Sequence, residues 1–117
     1  MDPACRKVCM DWMRRGANFL PTNLGVADSD LKGEGWRPLV EAIREVFDAG
    51  LGGKLVLGLD SGYCSESGTF VPQLFLPPEP FLHMFTHTLP AFRAQGLAPE
   101  QEEMMMVANP ARILPVQ

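Results

Sequence analysis

The chain has 117 residues, 46% of them hydrophobic and 21% charged, with a formal net charge of −4. That is enough for one small domain with its own core, and it argues against a disordered chain. The acidic balance, with no basic stripe, gives no electrostatic case for nucleic acid, and no apolar run approaches the roughly 20 residues of a membrane span. Three cysteines, Cys5, Cys9 and Cys64, cannot all pair with one another and point to a reducing cytoplasm rather than a disulfide framework. The stretch from Met1 to Lys7 lacks the apolar core of a signal peptide.

Asp2-Pro3 is a helix opening, with an N-cap carboxylate followed by proline at the first helical position. Cys5, Val8, Cys9, Trp12 and Met13 recur at helical spacing and predict one buried stripe on a helix over residues 3–15. Arg14 and Arg15 suit the last turn, and Gly16 suits a left-handed stop. Cys5 and Cys9 are spaced i, i+4, as a metal pair would be. No further Cys or His lies nearby, so they read as core packing. Residues 17–20 follow as a short strand bounded by Gly16 and Pro21. The polar stretch 21–35 reads as a loop. Asp28 and Asp30 resemble the start of a calcium loop, but the glycine and the closing glutamate are not at the required offsets.

Pro38 opens a second helix, with Leu39, Val40, Ile43, Val46 and Phe47 on one face and Gly50 as its stop. Next comes the run from Lys54 to Leu59, a short apolar strand of the kind buried on both faces in a parallel sheet. It ends on one carboxylate, Asp60. Strand, helix and strand predict a βαβ unit with parallel strands and a right-handed crossover. A loop of about twenty residues follows, and its place behind a strand-end acid marks it as an active-site loop. Glu79-Pro80 opens a third helix through about Gln95, kinked at Pro90 and stopped by Gly96. Ala98 to Glu103 starts a fourth short helix, with acids in its first turn. Asn109-Pro110 reads as a cap before a last half-turn.

An acid at the carboxyl end of a buried strand is placed where α/β folds collect ligands and catalytic groups. Asp60 is therefore the leading candidate, as a metal ligand or proton acceptor. Its plainer reading is a turn or cap carboxylate. Tyr63 and Cys64 stand just behind it and suit the lining of a pocket. Cys64 as a nucleophile would need a basic partner, and the sequence places none. His83 and His87 have zinc-site spacing, but the glutamate of an HExxH motif is absent, and they read as surface or rim residues. Ser61-Gly62 and Ser67-Gly68 are turn chemistry, and no phosphate-binding glycine pattern is present. Two parallel strands do not make a finished sheet, because both outer edges leave backbone groups unpaired.

The segment from Gly53 to Leu114 resembles the C-terminal end of the phosphotriesterase-like branch of the amidohydrolase superfamily. The resemblance rests on the strand ending in Asp60-Ser61-Gly62-Tyr63-Cys64, on Phe81-Leu82-His83-Met84-Phe85 with Leu89-Pro90-Ala91-Phe92-Arg93, and on Asn109-Pro110-Ala111-Arg112-Ile113-Leu114. Asp11 to Leu20 is more weakly similar. The resemblance implies an α/β fold: residues 1–117 as a single partial domain, the C-terminal fragment of a (β/α)8 TIM barrel, with 17–20 and 54–59 as its last two strands. It implies a divalent metal, zinc in such enzymes, and hydrolysis of a lactone, ester or phosphotriester by metal-activated water. Asp60 would be both metal ligand and proton acceptor, and Tyr63 and Cys64 would touch substrate.

The departure from the family is large. Its other ligands are a His-x-His on the first strand, a lysine on the fourth and histidines on the fifth and sixth. This chain has no His-x-His, and both its histidines follow Asp60. A barrel takes about 200 residues or more. The expectation is a hydrolase fragment, inactive alone, completed by a missing barrel half or by a homo-oligomer. The alternatives are a truncated, non-catalytic interaction module that pairs its strand edges, and an α/β domain whose Asp60 is a plain cap.

Overall fold

The computed structural model describes residues 2–21, 33–58, 62–64, 70–72, 82 and 84–114. Helix α1 spans Pro3–Arg14 and α2 spans Arg37–Asp48, the latter entered through a 3-10 turn at Gly33–Trp36. A second 3-10 turn, Gly52–Lys54, follows. Two short strands come next, β1 (Gly62–Cys64) and β2 (Phe70–Pro72). The C-terminal part is helical: α3 (Leu89–Ala94), α4 (Pro99–Glu103) and α5 (Asn109–Ile113). Among the described residues, no helix is long and apolar enough to cross a membrane.

The helix ends follow from local chemistry. Asp2 caps α1, its Oδ1 accepting from the Ala4 N–H at 3.4 Å, with Pro3 at the first position. The first three helices stop in the same way. In α1 the Gly16 N–H donates to the Met13 carbonyl at 3.0 Å and the Ala17 N–H to that of Trp12 at 3.0 Å. Gly50 and Leu51 repeat this pair of bonds behind α2, as Gly96 and Leu97 do behind α3. The three glycines have φ of +106°, +74° and +94°, the left-handed turn that a Schellman cap requires.

Proline shapes the two C-terminal helical stretches. A π-helical turn, Met84–Thr88, runs directly into α3, and a second, Met104–Ala108, runs directly into α5. Each leads to a proline at the second position of the next helix, Pro90 or Pro110. Proline has no N–H for the carbonyl four residues back and its ring crowds that carbonyl, so the turn before it widens. Over 84–94 the expected single helix kinked at Pro90 is thus a π turn joined to an α-helix, and its expected start at Glu79-Pro80 lies outside the described residues.

The start of α4 is less well capped. The Gln101 Oε1 accepts from the Ala98 N–H at 3.0 Å, which is one half of a capping box. Ala98, extended at φ −76° and ψ 147°, has no side-chain oxygen to return the bond. Ala98→Ser should therefore raise stability by about 0.5–1 kcal/mol, read as a higher urea midpoint at unchanged slope.

The core gathers Met13, Trp36, Val40, Ile43, Leu55, Met84, Leu89, Phe92, Leu97 and Met105. The Trp36 and Phe92 rings meet edge to face, with centroids 5.3 Å apart at 70°. Arg6 Nη1 reaches Glu45 Oε2 at 2.9 Å and ties α1 to α2. Arg93 grips Glu102 with two bonds, Nε to Oε2 at 2.7 Å and Nη2 to Oε1 at 2.6 Å, joining α3 to α4. The hydrogen bond to Glu102, and then its charge, hold the Arg93 guanidinium further above its already high range.

Two expectations are corrected here. The α/β reading, a (β/α)8 TIM barrel fragment with strands at 17–20 and 54–59, does not hold. The described chain is predominantly helical, and neither segment forms a strand. They meet through one isolated parallel bridge, Phe19 to Leu55. The Phe19 N–H donates to the Lys54 carbonyl at 2.8 Å, the Val56 N–H to that of Phe19 at 3.1 Å, and the Gly58 N–H to that of Pro21 at 2.9 Å. Lys54 is still in a 3-10 turn and Pro21 offers no donor, so pairing is pinched at both ends. The two strands that do form, β1 and β2, run antiparallel.

The second correction concerns α1. The expected stripe included Val8 and Trp12, yet these are 56% and 57% exposed. Cys5 is exposed as well, Met13 is buried as expected, and Met10, outside that stripe, is buried beside it. The helix is rotated so that Cys9, Met10 and Met13 face α2 and the Phe19–Leu55 bridge. Trp12 lies outside, with the Arg15 guanidinium 5.4 Å above its ring.

Candidate functional site

The C-terminal helix and the turn before the bridge form one hydrogen-bonded knot. Asn109, only 3% exposed, sends both protons of its amide into the 52–55 segment. Its Nδ2 donates to the Gly52 carbonyl at 2.9 Å and to the Leu55 carbonyl at 2.6 Å. One turn on, Arg112 Nη2 donates to the Gly53 carbonyl. Gly52 belongs to the same fit, because a Cβ there would overlap the Phe47 ring. The knot anchors the base of the segment that runs through Gly58 toward Asp60. Asn109 is therefore more than the helix cap its Asn-Pro sequence suggests. A buried side chain crossing to another element leaves no periodic signal in a sequence.

Asp60 itself lies outside the described residues, as do Ser61 and His83. Tyr63 and Cys64 are placed by their backbone on β1, in register with Val71 and Phe70 of β2. The stretch expected as one continuous loop thus contains a two-stranded antiparallel ladder. Its register sets Tyr63 opposite Val71 and Cys64 opposite Phe70.

His87 is exposed on the π turn before α3. Its Nδ1 lies 2.7 Å from Thr86 Oγ1, and that hydroxyl donates to the Leu82 carbonyl at 3.1 Å. Cys5 and Cys9 are free thiols. Among the described residues, no three of His, Cys, Asp and Glu stand together as a metal-ligating group. Asp60, the ligand that the resemblance names, lies outside the residues this covers.

Two apolar depressions flank the bridge. One is a narrow crevice between α1 and α2 with room for about 20 Å³, the space of roughly one water molecule. Its walls include Met10, Met13, Ala42 and Ile43, its floor Phe19 and Leu55. Arg6 and Cys9 also line it. The other lies on the far side of the bridge, where Leu20 and Val56 meet Ile113 and Leu114. No protein-family model, curated protein or solved structure matches the chain.

Proposed function

We propose that this chain is a catalytically incomplete part of a phosphotriesterase-like metal hydrolase, acting on a lactone, ester or phosphotriester, and inactive by itself. One observation carries the reading. The Asn109 and Arg112 side chains of the terminal Asn-Pro-Ala-Arg clasp Gly52, Gly53 and Leu55, at the root of the segment that ends in Asp60. The start of the 53–64 stretch and the terminal 109–114, two of the pieces that carry the resemblance, are therefore packed together.

Asp60 is the residue assigned to hold metal and accept a proton, with Tyr63 and Cys64 toward the substrate. A lone carboxylate does not hold a hydrolytic zinc, so the remaining ligands must come from other chain. The cytoplasm is the compartment proposed, in keeping with the free thiols of Cys5 and Cys9.

Purified protein supplied with zinc should hydrolyse neither a lactone, an aryl ester nor a phosphotriester above background. Turnover that disappears in Asp60→Ala would sink the claim of inactivity. The ancestry is tested separately, by reading the transcript upstream of Met1. An in-frame His-x-His is expected there, and a frame without one removes the hydrolase reading.

A second reading is a non-catalytic interaction module, and a specific observation favours it. Among the described residues, the backbone N–H and C=O groups of Leu20 and Leu57 have no hydrogen-bond partner. Leu20 and Leu114, beside the far depression, are 51% and 71% exposed. Open edges of this kind accept an added strand. On this reading the chain sediments as a dimer that Leu20→Lys returns to monomer. A wild-type monomer at all concentrations would dismiss it.

A further inference from the structure

Two exposed surfaces of the chain are complementary to each other. The first is the outer face of α1, where Cys5, Val8 and Trp12 stand in solvent at i, i+3 and i+7. The helix is basic: Arg6, Lys7, Arg14 and Arg15 outweigh Asp2 and Asp11, in a chain whose net charge is −4. Arg6 and Arg14 are taken up by Glu45 and Asp11. Among the described residues Lys7 and Arg15 have no ion-pair partner, and the Arg15 guanidinium stands 5.4 Å above the Trp12 ring. The second surface is a groove of about 370 Å³ between α3, with the π turn before it, and α4. It is lined by buried Leu89, half-buried Met106 and the exposed Phe85 and Val107. Glu102 there is held by Arg93, while Glu103 has no ion-pair partner among the described residues. The groove is therefore apolar with an acidic edge.

We propose that the groove takes the Trp12 and Val8 of a second copy of this chain, with the basic side chains of that copy's α1 against Glu103. The volume lies within the range of about 300–1,000 Å³ of clefts that hold groups of indole size. Trp and Arg are the side chains most favoured as interface anchors, and here they come together on one helix face. A basic helix against an acidic edge is complementary in sign, which fixes the orientation. Trp12 is 57% exposed in its own chain and so is free to enter another. Because knob and groove are different patches, the contact is head to tail. It uses neither Asp60 nor the open strand edge at Leu20.

The test is sedimentation velocity of the whole chain. A contact this small is weak, so a monomer is expected at about 1 µM and association by about 100 µM, reduced by added salt. Trp12→Ala removes the knob, and Val107→Lys blocks the groove and neutralises Glu103. Each should weaken association about tenfold or more. Mixed in equal amounts, the two variants should form a 1:1 heterodimer, because one keeps the groove and the other keeps Trp12. Leu20→Lys should associate as wild type does. Both test positions are exposed, and circular dichroism confirms that the variants are folded. The proposal is overturned if wild type stays monomeric at about 100 µM, if either folded variant associates as wild type does, if the mixture stays monomeric, or if Leu20→Lys abolishes association. A monomeric wild type that binds anionic lipid vesicles through α1 would give that face to a membrane and overturn it equally.

Discussion

Replacing Phe92 by alanine should cost the protein about 3–5 kcal/mol, the range for deleting a fully buried aromatic side chain. Phe92 is 0% exposed and packs edge to face on Trp36. It is the contact through which α3 meets the turn that leads into α2. A domain of ordinary stability has about 5–15 kcal/mol in total, so the variant would lose a large part of it. The midpoint of thermal unfolding should fall by about 12–25 °C. Phe92→Leu keeps most of the volume and should cost far less, so the pair separates lost packing from lost helix. A fall under about 5 °C for the alanine variant would show that Phe92 is not at the centre of the core.

Asn109→Asp tests the knot and gives a pH signature. The change replaces an amide that donates twice with a carboxylate that can only accept, facing the Gly52 and Leu55 carbonyls. The Gly52 carbonyl keeps the Leu55 N–H at 3.2 Å, while the Leu55 carbonyl loses its side-chain donor. At neutral pH the loss should be about 3 kcal/mol, as for an uncompensated buried charge. The sign of the pH effect follows from linkage. Burial against two carbonyls favours the protonated acid, so the folded-state pKa lies above the unfolded value near 3.9. Between those two values the folded state binds more protons than the unfolded state, and stability falls as pH rises. The difference from wild type should thus be smallest near pH 4 and grow toward neutrality. Denaturant midpoints of both proteins across that range decide it. A pH-independent difference would mean that Asn109 does not face the carbonyls.

How much of this was legible in the sequence depended on how local the physics was. Gly16, Gly50 and Gly96 marked three helix ends correctly, since a Schellman cap is made by the residues on either side of it. Asp2-Pro3 and the Leu39 to Phe47 face were readable for the same reason. The strands were not. Residues 17–20 and 54–59 have strand composition, but a ladder needs a neighbour, and here each finds the other at a single bridge. The short antiparallel pair of β1 and β2 was hidden in a proline-rich stretch with no clear alternation. At the candidate site Asp60 lies outside the described residues, and Tyr63 and Cys64 are placed only by the backbone ladder of β1 and β2. The groups that hold its base, Asn109 and Arg112, come from more than 50 residues away.

The amino-acid order alone determined where helices begin and stop, because caps and glycine turns complete their hydrogen bonds within a few residues. Only tertiary structure decided which face of α1 is buried, why Asn109 is inside, and that the apolar runs at 17–20 and 54–59 do not grow into a sheet. Those outcomes depend on which surfaces meet across the chain. A sequence pattern records that a residue is apolar, and burial is settled by what arrives to cover it.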